Sequence, residues 1–208
     1  MPMRDETIGD FLDRLADRVP APGGGAAAAV HAALGAALLG MVARYSVGEK
    51  YADHEATIGR VTAEADELRD IALRLAEADA AAFAAVAEVY QLPKSTEADR
   101  AARSAAMARA LVDAAWPPAK LIGIAGMVVD LAEMLAEIGN RNVLSDLGAA
   151  AEAARAAAAT ARINVEINLA GITDEQASLE MIAETDKAED IITRAEKIAA
   201  AVREQIRA

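Results

Sequence analysis

Between Gly24 and Ala43 the chain runs GGAAAAVHAALGAALLGMVA, with no charged side chain until Arg44. A helix that is apolar on every face is either a membrane span or the central element of a helical protein. Ala and Gly dominate this stretch where a span would carry Leu and Ile, His31 interrupts it, and no aromatic residue marks its start. The expectation is therefore a central buried helix, with no membrane as partner. The run PAPGGG at 20–25 breaks the chain immediately before it.

The flanking segments also read as helices. Ile8, Phe11, Leu12, Leu15 and Val19 recur at helical spacing, predicting a short amphipathic helix capped near Asp5 or Thr7 and stopping at Pro20. From Tyr51 to Tyr90 there are almost no breakers, and Val61, Ala65, Leu68, Ala72, Leu75, Asp79, Ala82 and Val86 follow alternating steps of four and three, a bundle seam. The QLPKST turn leads to a helix from Thr96 or Glu97, which Trp116-Pro117-Pro118 should break or kink before it resumes to about Ile138. Further helices are expected from Val143 to Leu169 and from Thr173 or Asp174 to near the C-terminus. No strand pattern is present. The fold class is thus all-α, an up-and-down bundle of long helices around a central Ala/Gly-rich helix, with residues 1–208 as one helical domain. Hydrophobic residues make up 54% of the chain but aromatic ones only 3%. A core of Ala brings backbones close and leaves little area per chain, which favours a homodimer formed by helix packing.

Charge and residue types exclude several functions. A net charge of -12 repels nucleic-acid phosphates and anionic lipid, so no nucleic-acid partner is expected. Without Cys there is no disulfide or thiolate chemistry, and His31 and His54 lack the neighbours of a metal site. The acidic N-terminal segment does not resemble a signal peptide, giving a cytoplasmic expectation. Any chemistry should rest on carboxylates, amides and an electrophilic substrate.

Three features resist a purely structural reading. Asp79 lies on the seam, where a carboxylate is buried only if it is paired or functional. Asp146, Ala150, Ala153, Ala157, Thr160, Asn164 and Asn168 form one stripe whose smooth middle suits either a neighbouring helix or the flat face of a ligand. Gly23, Gly24 and Gly25 open the central helix, and its amide-rich N-terminus is a place for an anion, though the lysine and hydroxyl of a P-loop are missing.

Taken in order, PAPGGGAAAA, MVARYSVGEKY, AEADAAAFAAV, QLPKST, GNRNVLSDLGAAAEAA and ARINVEINLAGITD resemble the cyclodeaminase/cyclohydrolase family, across almost the whole chain. That family comprises the C-terminal domain of formimidoyltransferase-cyclodeaminase and the stand-alone methenyltetrahydrofolate cyclohydrolases. The resemblance implies an all-α homodimer acting on a tetrahydrofolate derivative, without metal or bound cofactor. Gly23, Gly24 and Gly25 match its glycine loop, Lys50 and Tyr51 its basic-aromatic pair, and Asp79 with Phe83 its acidic D-x-x-x-F segment. Asn140, Asn142, Ser145 and Asp146 match its Asn/Ser-Asp motif, and Asn164 with Asn168 its N-x-x-x-N.

The resemblance implies either hydrolysis of 5,10-methenyltetrahydrofolate to 10-formyltetrahydrofolate or cyclisation of 5-formiminotetrahydrofolate with loss of ammonia. Asp79 or Asp146 would do the proton work, and Asn140, Asn164 and Asn168 would orient the pterin and bridging carbon. Lys50 and Arg141 would meet the glutamate tail, with Lys94 more simply a surface charge. At one position the chain departs: Ala26 follows the glycines where the family usually has Ser. The alternative function is accordingly a folate-like ligand-binding or structural helical dimer that has lost catalysis.

Overall fold

The computed structural model describes residues 3–207. Its α-helices are α1 (Ile8–Ala16), α2 (Gly24–Arg44), α3 (Glu55–Val89), α4 (Glu97–Ile138), α5 (Leu144–Leu169) and α6 (Glu175–Arg207). Short 3-10 turns cover Met3–Asp5, Glu49–His54 and Arg141–Val143. No strand occurs among the described residues.

Helix α2 is the centre, packed against α3, α5 and α4, while α6 covers α5 and α4. Its small residues permit that crowding. A Cβ at Gly35 would stand 3.2 Å from both the Ala150 carbonyl oxygen and a Val128 methyl, so α2 and α5 touch nearly backbone to backbone. The helix is long and apolar enough to cross a membrane, yet most of it is buried in the bundle. Gly24 lies beside Asn164 and Gly35 beside Ala150, so α2 and α5 run antiparallel; Gly25 beside Asp79 and Gly40 beside Ala65 give the same relation to α3.

Four sequence expectations need correction. Helix α1 ends at Ala16, not Pro20, because the Asp17 N–H closes back on Arg14; of its apolar set only Phe11 is buried, while Ile8, Leu12 and Val19 are exposed. The long third helix begins at Glu55, after the 3-10 turn that holds Lys50 and Tyr51. On α3 the seam continues from Ala72 through Ala76, not Leu75. Finally, Pro117 and Pro118 do not interrupt α4, which runs unbroken for 42 residues. Each proline removes an N–H, freeing the carbonyls of Asp113 and Ala114 one turn earlier. The Asn168 side-chain amide donates to the Ala114 oxygen at 3.4 Å, so α5 satisfies one acceptor that the proline pair leaves open.

Candidate active site

Helix α2 starts at Gly24 behind the N-cap Gly23, which offers no side-chain cap, leaving the amides of its first turn unpartnered within the helix. The carboxylate of Asp79, reaching across from α3, lies against this first turn beside Gly25, where the nearby Ala26 backbone N–H favours its charged form. Only glycine at position 25 allows this approach, since an added Cβ would fall inside the carboxyl group of Asp79. The positive end of the helix therefore faces the protein's own acid.

Asp79, Asn164, Asn168, Phe83, Ala114 and the glycines line a cavity of about 130 Å³. Burial pushes the Asp79 carboxyl up to about 6, opposed by the Ala26 amide that stabilises its charge. Both asparagines spend their NH2 groups on backbone. Asn164 donates to the Thr160 oxygen at 2.8 Å, and Asn168 donates to the Asn164 oxygen at 2.8 Å as well as to Ala114. Their amide oxygens remain as acceptors beside the carboxylate, and no cationic side chain influences Asp79. A half-buried anion flanked by two carbonyl dipoles is suited to a cation.

Other residues singled out in the sequence are elsewhere. Asp146 lies 18 residues before Asn164 on α5, or ~27 Å along the axis at ~1.5 Å per residue. The stripe does not border one continuous hollow, because α2 covers its alanine middle and leaves polar groups at two separate ends. At the Asp146 end, the backbone N–H of Asn140 donates to Ser46 Oγ at 2.8 Å, its side-chain amide to the Tyr45 oxygen at 2.6 Å, and its Oδ1 accepts the Asn142 N–H at 3.0 Å. Asn140 thus fixes the end of α2 against the turn before α5. Arg141, Asn142 and Ser145 are exposed, and Lys50 sits 5.4 Å above the Tyr51 ring. Tyr51 lines a second hollow of about 480 Å³ with Ser46 and Gly48.

The Ala26 side chain is fully buried and absent from the cavity wall, while its backbone N–H favours the charged form of Asp79. The missing family hydroxyl therefore removes nothing that faces this cavity. Sequence reasoning did not single out Pro20, Ala114 or Ile167, which also line it. An alanine and an exposed isoleucine carry no polar signal to find. Among the described residues no group of three or more His, Asp or Glu side chains is gathered as a metal ion would require.

The model of the family described as formiminotransferase-cyclodeaminase matches residues 7–206. The chain belongs to this family. It is 40% identical over 183 residues to methenyltetrahydrofolate cyclohydrolase from Methylorubrum extorquens, covering 88% of each chain. It is 37% identical over 172 residues to formimidoyltransferase-cyclodeaminase of Mus musculus, covering 82% of this chain but 32% of that longer protein. Among solved structures, the crystal structure of formiminotetrahydrofolate cyclodeaminase from Thermotoga maritima superposes with a TM-score of 0.82 at 31% identity, over 96% of this chain and 98% of that one. The all-α architecture is therefore the family's own, and the cavity at Asp79 sits on a fold shared with folate enzymes of both named kinds.

Proposed function

We propose that this chain is a tetrahydrofolate one-carbon enzyme that hydrolyses 5,10-methenyltetrahydrofolate to 10-formyltetrahydrofolate, with Asp79 as its proton-transfer group. The observation that carries this reading is a half-buried carboxylate, flanked by two amide oxygens and lacking a cationic partner, because the substrate's N5–C–N10 amidinium is itself the missing cation. Likeness to the Methylorubrum cyclohydrolase over most of both chains supports the hydrolytic direction.

The carboxylate and the oxygens of Asn164 and Asn168 hold the bridging carbon of the amidinium at the end of α2. Water adds to that carbon, and ionised Asp79 accepts one of its protons. The neutral carbinolamine then collapses: the carbon–N5 bond breaks, the hydroxyl proton passes to N5, and the formyl group stays on N10, with one proton released overall. A cavity of about 130 Å³ encloses the reacting ring and not the whole folate, so pterin and tail extend beyond its mouth.

A second reading, cyclisation of 5-formiminotetrahydrofolate with loss of ammonia, is favoured by likeness to the Thermotoga protein. There N10 attacks the formimino carbon and Asp79 must be protonated, to give its proton to departing ammonia. The two directions predict opposite pH limbs. With Asp79 near 6 in the free protein, kcat/KM for methenyl hydrolysis should rise through about pH 6 to a plateau, whereas kcat/KM for cyclisation should fall through the same region. Rates over buffer, measured with both compounds from about pH 5 to 8, decide between them. Turnover of neither, with folate still bound in a titration, would leave a binding module.

The same reading takes the enzyme as a homodimer with no resident cofactor. Its support is the outer face of α2, where His31, Leu34, Ala37 and Tyr45 are exposed on a helix with no charge before Arg44. Leu34, half exposed, is at the middle of that face. Leu34→Asp is expected to convert the dimer to monomer in sedimentation; a wild-type chain that already sediments as a monomer refutes the dimer.

A further inference from the structure

The substrate reading leaves the folate tail without a seat, and α4 offers one. Ala114 borders the Asp79 cavity, and one turn earlier Leu111 borders a groove of about 800 Å³ that continues past Met107 to Arg103 and Arg100. Positions 100, 103, 107, 111 and 114 recur at steps of three and four, so they form one stripe on the helix. Cavity and groove are therefore consecutive along α4, with Arg103 about 16 Å from Ala114 at ~1.5 Å per residue.

Charge distinguishes this stretch from the rest of the molecule. Residues 91–120 carry Lys94, Arg100, Arg103, Arg109 and Lys120 against Glu97, Asp99 and Asp113, in a chain of net charge -12. Asp99 is already engaged, closing the capping box with Thr96 at the start of α4. Among the described residues neither groove arginine meets a carboxylate. Arg103 donates to the carbonyls of Val89 and Tyr90 at 3.3 and 3.4 Å and lies 5.7 Å from the centre of the Tyr90 ring. Arg100 donates to the carbonyls of Lys94 and Ser95 at 3.4 and 3.2 Å. Carbonyls and a ring hold these guanidiniums in place without neutralising them, which is how a fixed anion clamp is built.

We propose that this groove seats the p-aminobenzoyl-glutamate tail of the substrate, with Arg103 and Arg100 binding its carboxylates while the amidinium occupies the Asp79 cavity. The proposal rests on the folate reading above. It differs from the sequence expectation, which assigned the tail to Lys50 and Arg141, residues at the other end of the bundle from Asp79.

The test compares wild type with Arg103→Gln and the Arg100→Gln/Arg103→Gln pair, on 5,10-methenyltetrahydrofolate and on its pteroate counterpart, which lacks the glutamate. For the full substrate KM is expected to rise about tenfold in the pair, with kcat within about twofold. The pteroate compound should have a raised KM in wild type and no further rise in the variants. Added salt should shrink the wild-type advantage for the full substrate. A KM unchanged by the substitutions, or an equal penalty on both compounds, overturns the proposal while leaving the folate reading intact. If wild type turns over neither compound, the folate reading fails and the tail site with it.

Discussion

Asp79→Asn is expected to lower kcat for methenyltetrahydrofolate hydrolysis by about 10²- to 10⁴-fold, the usual range for a lost general base, while leaving a folded and more stable protein above pH 6. The two effects share one cause. Burial lifts the carboxyl from its ordinary 3.8 to about 6, so the folded protein binds this proton more tightly than the unfolded chain does. Below about 3.8 the group is neutral in both states and contributes no difference. As pH rises from there to about 6 the unfolded chain ionises first, so stability falls, and above 6 the buried charge is a constant burden. Asparagine removes that charge and keeps the shape of the side chain. The expected gain at neutral pH is roughly 1–2 kcal/mol, less than the full shift implies because the cavity opens to solvent. Thermal melts of both proteins from about pH 4 to 8 should diverge as pH rises and coincide at the acid end. A variant that is inactive but no more stable at pH 7 would mean that the carboxylate is not desolvated as the structure shows; one that turns over normally would remove Asp79 from the chemistry.

The sequence revealed this site by misfit, which accounts for both its reach and its limits. Asp79 stood out because a carboxylate interrupted an apolar seam, and Asn164 and Asn168 because amides closed a stripe of alanines. All three meet in one cavity. Asp146 belonged to the same stripe but lies at the far end, since helical periodicity reports which face a residue shares and not what covers that face at each level. Here α2 fills the middle, through contacts such as Gly35 against the Ala150 carbonyl. The glycine loop was legible as an electropositive helix start, but the acid set against it was not, because that acid comes from another helix 54 residues away. The break expected at the proline pair is absent for a related reason. A freed carbonyl argues for a break only when nothing accepts the task of satisfying it, and Asn168 does so from across the bundle. Long helices, turns and the central element were local properties and were read directly; compensation between helices was not.

Gly25→Ala isolates this cross-helix arrangement without touching any group that does chemistry. Its new Cβ would overlap Oδ1, Cγ and Oδ2 of Asp79, so the short side chain must rotate away from the Ala26 amide and out of the cavity. A loss of kcat of at least about 10²-fold is expected, approaching that of Asp79→Asn. The stability signature should differ, because the displaced carboxylate reaches water and its pKa returns toward the ordinary range, so the limb near pH 6 disappears from the residual activity. The glycine replacement itself adds helix propensity of about 0.5–1 kcal/mol at this first-turn position, which offsets part of the crowding. Combining Gly25→Ala with Asp79→Asn should cost little more than either alone, since both remove the same interaction. Gly24→Ala is the control: its Cβ would meet the Asn164 amide at 3.2 and 3.3 Å, a contact that a small shift of Asn164 relieves, and less than about a tenfold loss is expected. Equal losses in the two glycine variants would point to general crowding at the start of α2, and full activity in Gly25→Ala would show that catalysis does not require the carboxylate to be held at that helix end.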